Sequence, residues 1–460
     1  MVLGIILSLC FLTFIAYRGY SVILFAPVAA LIAVATAGIP LMPTYTELFM
    51  VKAMAFAKSY FPVFLLGAVF GKVMEDSGLA KSIAQWVITK LGSRGTIAAV
   101  VFSCAVLAYG GVSVFVIAFA VYPLGAALFK EADIPKRLLP ASIGLGCFTF
   151  AMTAMPGTPQ IQNLIPTKYF GTDAYAAPGL GILAGLCMLV GGLLWLEYRK
   201  RKLINSGEGY GVGHINEPDE STAQEKTKNP ILALIPLLAV VILFFVFTKV
   251  IKGWDPLILK AYPGVTLANV AAIWALIISV SIGIVLALVI GWDRFKTESS
   301  LTKCLNAGAI GSLLAIMNTA SEVGYGSVIS SLPGFKSVAN FLMSINPGTP
   351  LVSEAITVNV LAGITGSASG GMGIALEAMG KYYLDWANQI GLNPELLHRV
   401  ASLSSGGFDS LPHNGAIITL LAICGLTHRQ SYPDIGMVTV LIPFASAFII
   451  IIMSAIFGAF

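Results

Sequence analysis

The segment Ser402-Leu-Ser-Ser-Gly-Gly-Phe-Asp-Ser-Leu-Pro-His-Asn-Gly415 gathers a carboxylate, an imidazole, an amide and several hydroxyls within one short stretch. Asp409 and His413 stand four positions apart, and an imidazole titrates near neutrality, so the two could relay a proton. Gly406 and Gly407 permit backbone conformations closed to other residues, and Pro412 cannot extend a regular helix. The segment therefore reads as a break in a helix. A helix beginning just past it would aim free N–H groups at an anion, with Ser404, Ser405 and Asn414 as neutral ligands. An ordinary loop outside the membrane is the competing reading.

A second polar stretch, Thr149 to Asn163, carries Thr153, Thr158, Gln160 and Asn163 around two prolines. These are donors and acceptors suited to hydroxyl or carboxylate groups; a proline-rich turn is the plainer account. Two glycine-marked breaks interrupt apolar runs. One holds Tyr109, Gly110, Gly111 and Ser113, the other Thr365, Ser367 and Ser369. They are either unwound centres of helices or small residues that let helices pack closely.

Four acids lie in or beside apolar runs: Glu322, Glu354, Glu377 and Asp409. An ionisable group in a span is costly and marks a functional site by default. Asp409, His413 and Glu322 are the candidates for handling a coupling proton, and Glu354 is similar to Glu322. Glu377, near Lys381, is expected at an aqueous boundary. His214, His398 and His428 are expected in solvated loops. The six cysteines read as small apolar core residues, with no metal-ligand spacing. No zinc motif, P-loop or nucleophile elbow occurs, so no metal or cofactor is expected, and ATP-driven transport is disfavoured.

The elements that must position these residues lie in lipid. Of the 460 residues, 57% are hydrophobic and 11% charged, against about 25% charged in a soluble domain. Spanning a bilayer takes about 20 apolar residues of helix, and the apolar runs are continuous, so helices rather than a barrel satisfy the backbone. The expected fold is an all-α polytopic membrane protein with about 11 to 13 hydrophobic segments. Among them are Leu48–Met74, broken near Lys58–Pro62, and a short one at Ala307–Ala320. The first run, Val2–Ala16, reads as a retained span.

The net charge of +5 does not point to nucleic acid. It sits in short loops as a topology signal. The polar stretch from Arg199 to Asn229, including Asn216 to Ser221, reads as a solvated cytoplasmic linker between residues 1–198 and 230–460. Arg18, Lys130, Lys136, Arg137, Arg294 and Lys296 join it on that side, which places the N-terminus outside.

The two halves repeat. Gly71 to Val87 aligns without gaps on Gly326 to Leu342, 255 positions later, with Lys81 to Trp86 meeting Lys336 to Phe341. The same offset, within one residue, relates Tyr109-Gly-Gly111 to Ile364-Thr-Gly366 and Met155-Pro-Gly-Thr158 to Leu411-Pro-His-Asn414. Duplicated halves with matching broken helices point to a secondary transporter's binding site. The charge pattern favours inversion of one half against the other.

At Gly71-Lys-Val-Met-Glu-Asp-Ser-Gly78 and at the Gly/Ser-rich break ending Pro412-His413-Asn414, the chain resembles the gluconate permease family of the ion transporter superfamily. Ser405 to Gly415 and Gly425-Leu-Thr-His-Arg-Gln430 look more like its β-hydroxybutyrate permease branch than its sugar-acid members. The resemblance implies proton-coupled uptake of a small hydroxy-carboxylate in a bacterial inner membrane, with paired broken helices or re-entrant hairpins meeting at a central site. By superfamily analogy it implies a homodimer with an elevator-like movement. The expected partners are thus a small organic anion, a proton and the lipid bilayer. A sodium symporter, a gluconate symporter, an integral-membrane enzyme and a passive channel are the competing readings.

Overall fold

The computed structural model describes residues 2–18, 20–91, 95–217, 228–262, 265–345 and 348–459. Eighteen helices account for the described fold, and no strand occurs among the described residues. The first nine are α1 (Val2–Tyr17), α2 (Val22–Thr36), α3 (Leu41–Asp76), α4 (Leu79–Leu91), α5 (Thr96–Tyr109), α6 (Val114–Glu131), α7 (Lys136–Ala154), α8 (Ile165–Phe170) and α9 (Pro178–Asn205). The second nine are α10 (Pro230–Lys252), α11 (Leu267–Gly291), α12 (Glu298–Ser331), α13 (Phe335–Ser344), α14 (Pro350–Thr365), α15 (Ala368–Gln389), α16 (Pro394–Ser405), α17 (Gly415–Cys424) and α18 (His428–Phe457). Eight of these are long and apolar enough to cross a membrane. Residues such as Leu194, Val289 and Ile310 stay exposed on outward faces, as lipid-facing positions must.

The two sets match element for element, and special backbone positions recur with them. Gly111 (φ +89°) ends the turn after α5, and Gly366 (φ +64°) caps α14, at the 255-residue offset. Gly171 caps α8 and Gly425 caps α17, both left-handed. Glycine adopts this conformation without steric penalty, so the same breaks are specified twice.

Polar contacts sort the helix ends onto two sides. Lys228 pairs with Asp293 and donates to the Ile290 carbonyl, while its N–H donates to Ser82. Lys136 binds Glu217, and the Tyr210 N–H donates to Asp133. These contacts place the end of α9, the start of α10, the end of α11, α4 and the α6–α7 turn together. At the opposite end Lys252 reaches Asp173, and the Ala177 N–H donates to Glu395. Helices α5 and α6 thus enter and leave at one end as a re-entrant hairpin; α14 and α15 do so from the other. At 14 residues and 1.5 Å per residue, α5 is about 21 Å long, short of the ~30 Å hydrocarbon core.

The repeats are inverted. Helices α3 and α12 cross closely. A Cβ on Gly308 would lie 2.7 Å from Val69 Cα, and one on Gly324 would lie 3.0 Å from the Phe49 carbonyl and 3.2 Å from Ala53 Cβ. Residue numbers rise on one helix as they fall on the other, so the corresponding helices are antiparallel.

Several expectations are corrected. The first long span begins at Leu41 and runs through Lys58–Pro62 without a break, with Pro62 inside the helix; a span tolerates such a proline when neighbours re-satisfy the freed carbonyl. The segment expected at Ala307–Ala320 extends over Glu298–Ser331. Its polar residues continue the helix because Ser312, Thr319 and Ser327 donate to their own helix carbonyls. Helix α9 continues to Asn205. The following stretch packs against the bundle: Tyr122 donates to the Asn216 carbonyl, Asn216 to the Ala422 carbonyl, and Lys136 to the Ile215 carbonyl. Residues 218–221 of the linker motif lie outside the described residues.

Candidate functional site

The broken helices α7–α8 and α16–α17 meet near their breaks. Helix α7 is buried along nearly its whole length, which makes it an interior element rather than a lipid-facing one. Its last turn, Phe150–Ala154, is widened into a π-helix. There Ser402 donates to the Thr153 carbonyl at 2.7 Å, and a Cβ on Gly406 would lie 2.7 Å from the Thr153 methyl. Only glycine allows this approach, and it brings Thr153 of the first repeat against the second-repeat break.

Each break is tied to the hairpin tip of its own repeat. In the first, Tyr109 donates to the Pro156 carbonyl at 2.9 Å and Gln160 to the Ala108 carbonyl at 2.7 Å. Gly111 abuts Pro159. Thr158 donates to the Ala151 carbonyl, and Asn163 to the Thr158 and Ala174 carbonyls. In the second, Asn414 donates to the carbonyls of Gly366 and Asp409, both at 2.9 Å, and its oxygen caps α17 at Ala416 and Ile417. His413 lies against Gly366. Ser367 caps α15 by accepting from the Gly370 N–H, while Thr365 donates to the Leu361 carbonyl. Asp409 is buried and accepts from Ser410.

Some candidates face elsewhere. Gly110 packs against Leu237 of α10, and Ser113 borders Gly71 of α3; at both, the break serves close helix packing. Ser369 meets Thr319 of α12 at 3.3 Å, beside Glu322. Glu322 is buried, its Oε2 has no hydrogen-bond partner among the described residues, and it fills the space where a Gly370 side chain would stand. Ser405 donates to the Ser402 carbonyl. Glu354 is fully buried with neither oxygen hydrogen-bonded among the described residues. Glu377 joins Lys52, Ser327 and Tyr169, drawing α3, α12, α15 and α8 together.

The sequence reading missed one node entirely. His398, expected in a solvated loop, and its neighbour Arg399 are both fully buried. Arg399 donates to the carbonyls of Ala176 and Ala154 and to Asn163 Oδ1, and His398 lies 2.6 Å from the Thr172 hydroxyl and 3.2 Å from Asn163 Oδ1. A buried guanidinium requires such partners, and all of them lie more than two hundred residues upstream. The basic pair signalled its role only through the polar residues of Thr149–Asn163. No cluster of three or more His, Cys, Asp or Glu suited to a metal occurs among the described residues.

No protein-family model matches the chain. The uncharacterized transporter YxjC of Bacillus subtilis (strain 168) is 48% identical over 469 residues, covering 99% of this chain and 98% of its own. The chain belongs to that transporter family. An uncharacterized transporter of Haemophilus influenzae is 26% identical over 147 residues, 31% of this chain and 32% of its own. Among solved structures, Neisseria gonorrhoeae MtrF, described within a class of antimetabolite efflux pumps, superposes with a TM-score of 0.58 at 14% identity over 92% of this chain and 93% of its own. The Alcanivorax borkumensis YdaH transporter, described as having an unusual topology, gives 0.54 at 15% identity over 90% and 88%. The likeness to both is one of fold. The protein is a multi-pass membrane transporter.

Proposed function

We propose that the protein is a proton-coupled symporter of a small hydroxy-monocarboxylate such as 3-hydroxybutyrate, working as a homodimer in a bacterial cytoplasmic membrane. One observation carries the reading: two inverted repeats bring their broken helices together, with neutral hydroxyls, amides and carbonyls on one side and a buried carboxylate, Asp409, on the other. Thr153, Ser404 and the caps around Asn414 hold the anion, and Asp409, with His413 and, from α12, Glu322, handles the proton. Helix N-termini complement a carboxylate without a fixed cation. The likeness of the central motifs to the gluconate permease family, on its β-hydroxybutyrate permease side, supports the substrate class. On this reading residues 1–198 and 230–460 are the two working units, and 199–229 is their cytoplasmic connection.

Proteoliposomes test it. External alkalinisation on adding 3-hydroxybutyrate, abolished by an uncoupler and strongly reduced in Asp409→Asn, is the expected result. A response to gluconate alone moves the protein to the sugar-acid substrates. Uptake that ignores the uncoupler and requires sodium overturns the proton coupling.

A further inference from the structure

A cleft of about 170 Å³ opens between α1, α13 and the second re-entrant hairpin, and none of its lining residues belongs to the break at 402–415. Ile5 and Leu9 of α1, Phe335 and Leu342 of α13, and Ile356 and Ile364 of α14 mark its limits. From Ile356 to Ile364 it follows α14 for about 12 Å. The hydroxyls that border it are already engaged. Ser8 donates to the Tyr325 hydroxyl at 3.1 Å; the Thr357 hydroxyl donates to the Ser353 carbonyl at 2.8 Å and lies 2.9 Å from the Tyr383 hydroxyl. A polar acid finds no ligands there. The mouth faces lipid, because Val360 on its rim is 45% exposed and Leu3, Ile6 and Leu7 are exposed on the adjoining α1. The matching place in the first repeat is closed. There a Cβ on Gly110, which corresponds to Thr365, would lie 1.8 Å from Leu237 of α10. Helix α10 has 23 residues and its counterpart α1 has 16, about 35 Å against about 24 Å of helix.

A cleft walled by apolar side chains and open to the bilayer is filled by what the bilayer supplies, since a gap forfeits dispersion contacts along its lining. Its volume is comparable with that of the ~150 Å³ apolar cavity that stays dry and admits benzene. Helix α13 adds a charge at the mouth. Its Phe335 and Ala339 are buried, while Lys336, Ser337 and Asn340 are exposed. Lys336 is the one charged residue on α13, and α1 has none. A helix divided in this way lies at the membrane interface, where a lysine directs its ammonium to headgroup phosphates. We propose that the cleft holds an acyl chain of an anionic phospholipid, with the headgroup phosphate at Lys336. The chain lies along the hairpin arm that ends at Gly366, so the bound lipid braces α14 and α15 against α1.

The test is native mass spectrometry of the full-length protein in detergent, incubated with phosphatidylglycerol and phosphatidylcholine in equal amounts. Wild type is expected to retain phosphatidylglycerol over phosphatidylcholine by about fivefold, the weight of one lysine at an anionic surface. Lys336→Gln, at an exposed position that does not threaten folding, is expected to bring the ratio near unity while lipid is still retained. Val360→Trp, which plugs the mouth from its exposed rim, is expected to lose both lipids while its melting temperature in pure detergent stays that of wild type. Wild type that retains neither lipid overturns the proposal, and so does Val360→Trp that retains lipid as wild type does. An unchanged ratio in Lys336→Gln overturns the headgroup assignment. If Val360→Trp alters the oligomeric state and leaves bound lipid unchanged, a second copy of the chain covers the cleft and the lipid is ruled out.

Discussion

Replacing Arg399 with methionine tests whether the buried guanidinium holds the two broken helices together. The side chain supplies the donors for the Ala176 carbonyl, at 3.0 and 2.6 Å, and for the Ala154 carbonyl, at 3.1 Å. Asn163 Oδ1 still has His398 within reach at 3.2 Å. Two buried acceptors would therefore be left bare, at about 1–3 kcal/mol each. Removing a fully buried cation returns part of its desolvation cost, so the net loss is expected near the lower half of that range, about 2–4 kcal/mol. For a chain of this length that is about 2–4 °C in melting temperature, scaling the per-residue entropy of unfolding. Thermal unfolding of the purified protein and substrate uptake are read on the same preparations. Arg399→Lys is expected not to rescue, because a single ammonium cannot reproduce the guanidinium fork. Unchanged melting and uptake in Arg399→Met refutes the argument. Unchanged melting with lost uptake makes Arg399 a substrate ligand instead of a brace.

Gly308→Leu is expected to prevent assembly, because its Cβ meets Val69 backbone at 2.7 Å and overpacking a tight contact costs about 1–3 kcal/mol or more. Gly311→Leu, with nothing within 4 Å, is the control, and the monodisperse fraction in size-exclusion chromatography separates them. Outside the membrane, partial burial works to raise the Glu217 carboxyl, but hydrogen bonds from Lys136 and Tyr210 and the Lys136 charge outweigh it and hold it below the ordinary carboxylate range. Its folded value is thus depressed. The contact contributes fully above about pH 4.3, the usual glutamate value, and fades as the pH falls through the lower folded value. Protease cleavage within residues 206–217 is expected to rise on acidification, and Glu217→Gln is expected to show the raised cleavage already at pH 7; pH-independent cleavage that the variant does not alter would sink this account.

The repeat and its breaks were legible because glycine, proline and serine recur at one offset, and those residue types act locally: Gly111 and Gly366 take the left-handed turn wherever they sit. Span limits were less legible. Polar residues in Glu298–Ser331 looked like an end to the apolar run, yet they bond to carbonyls within their own helix, which hydropathy does not register. The Arg399–His398 node was hidden for a different reason. A basic pair near a helix start looks like a loop feature until the carbonyls of Ala154 and Ala176 are brought to it by the other repeat.

The two repeats are alike in backbone and unlike in charge. Glu322, Glu354 and Asp409 are all buried in the second repeat, and the positions 255 residues earlier are Gly67, Ala99 and Ala154. Inverted backbones of this kind give two arrangements, open to either end, that are close to mirror each other in packing. These three carboxyl groups have no ion-pair partner among the described residues, unlike the buried Asp434, which pairs with Arg199. On the proposed reading they bias the arrangements differently according to whether each carries a proton. A ligand or proton shifts a two-state equilibrium only through its differential interaction with the two states. The corresponding positions of the first repeat carry no charge, and on the proposed reading that repeat contributes hydroxyls and carbonyls. On the proposed reading, the coupling between proton and anion therefore resides in the second repeat, and the first serves chiefly to complete the anion site.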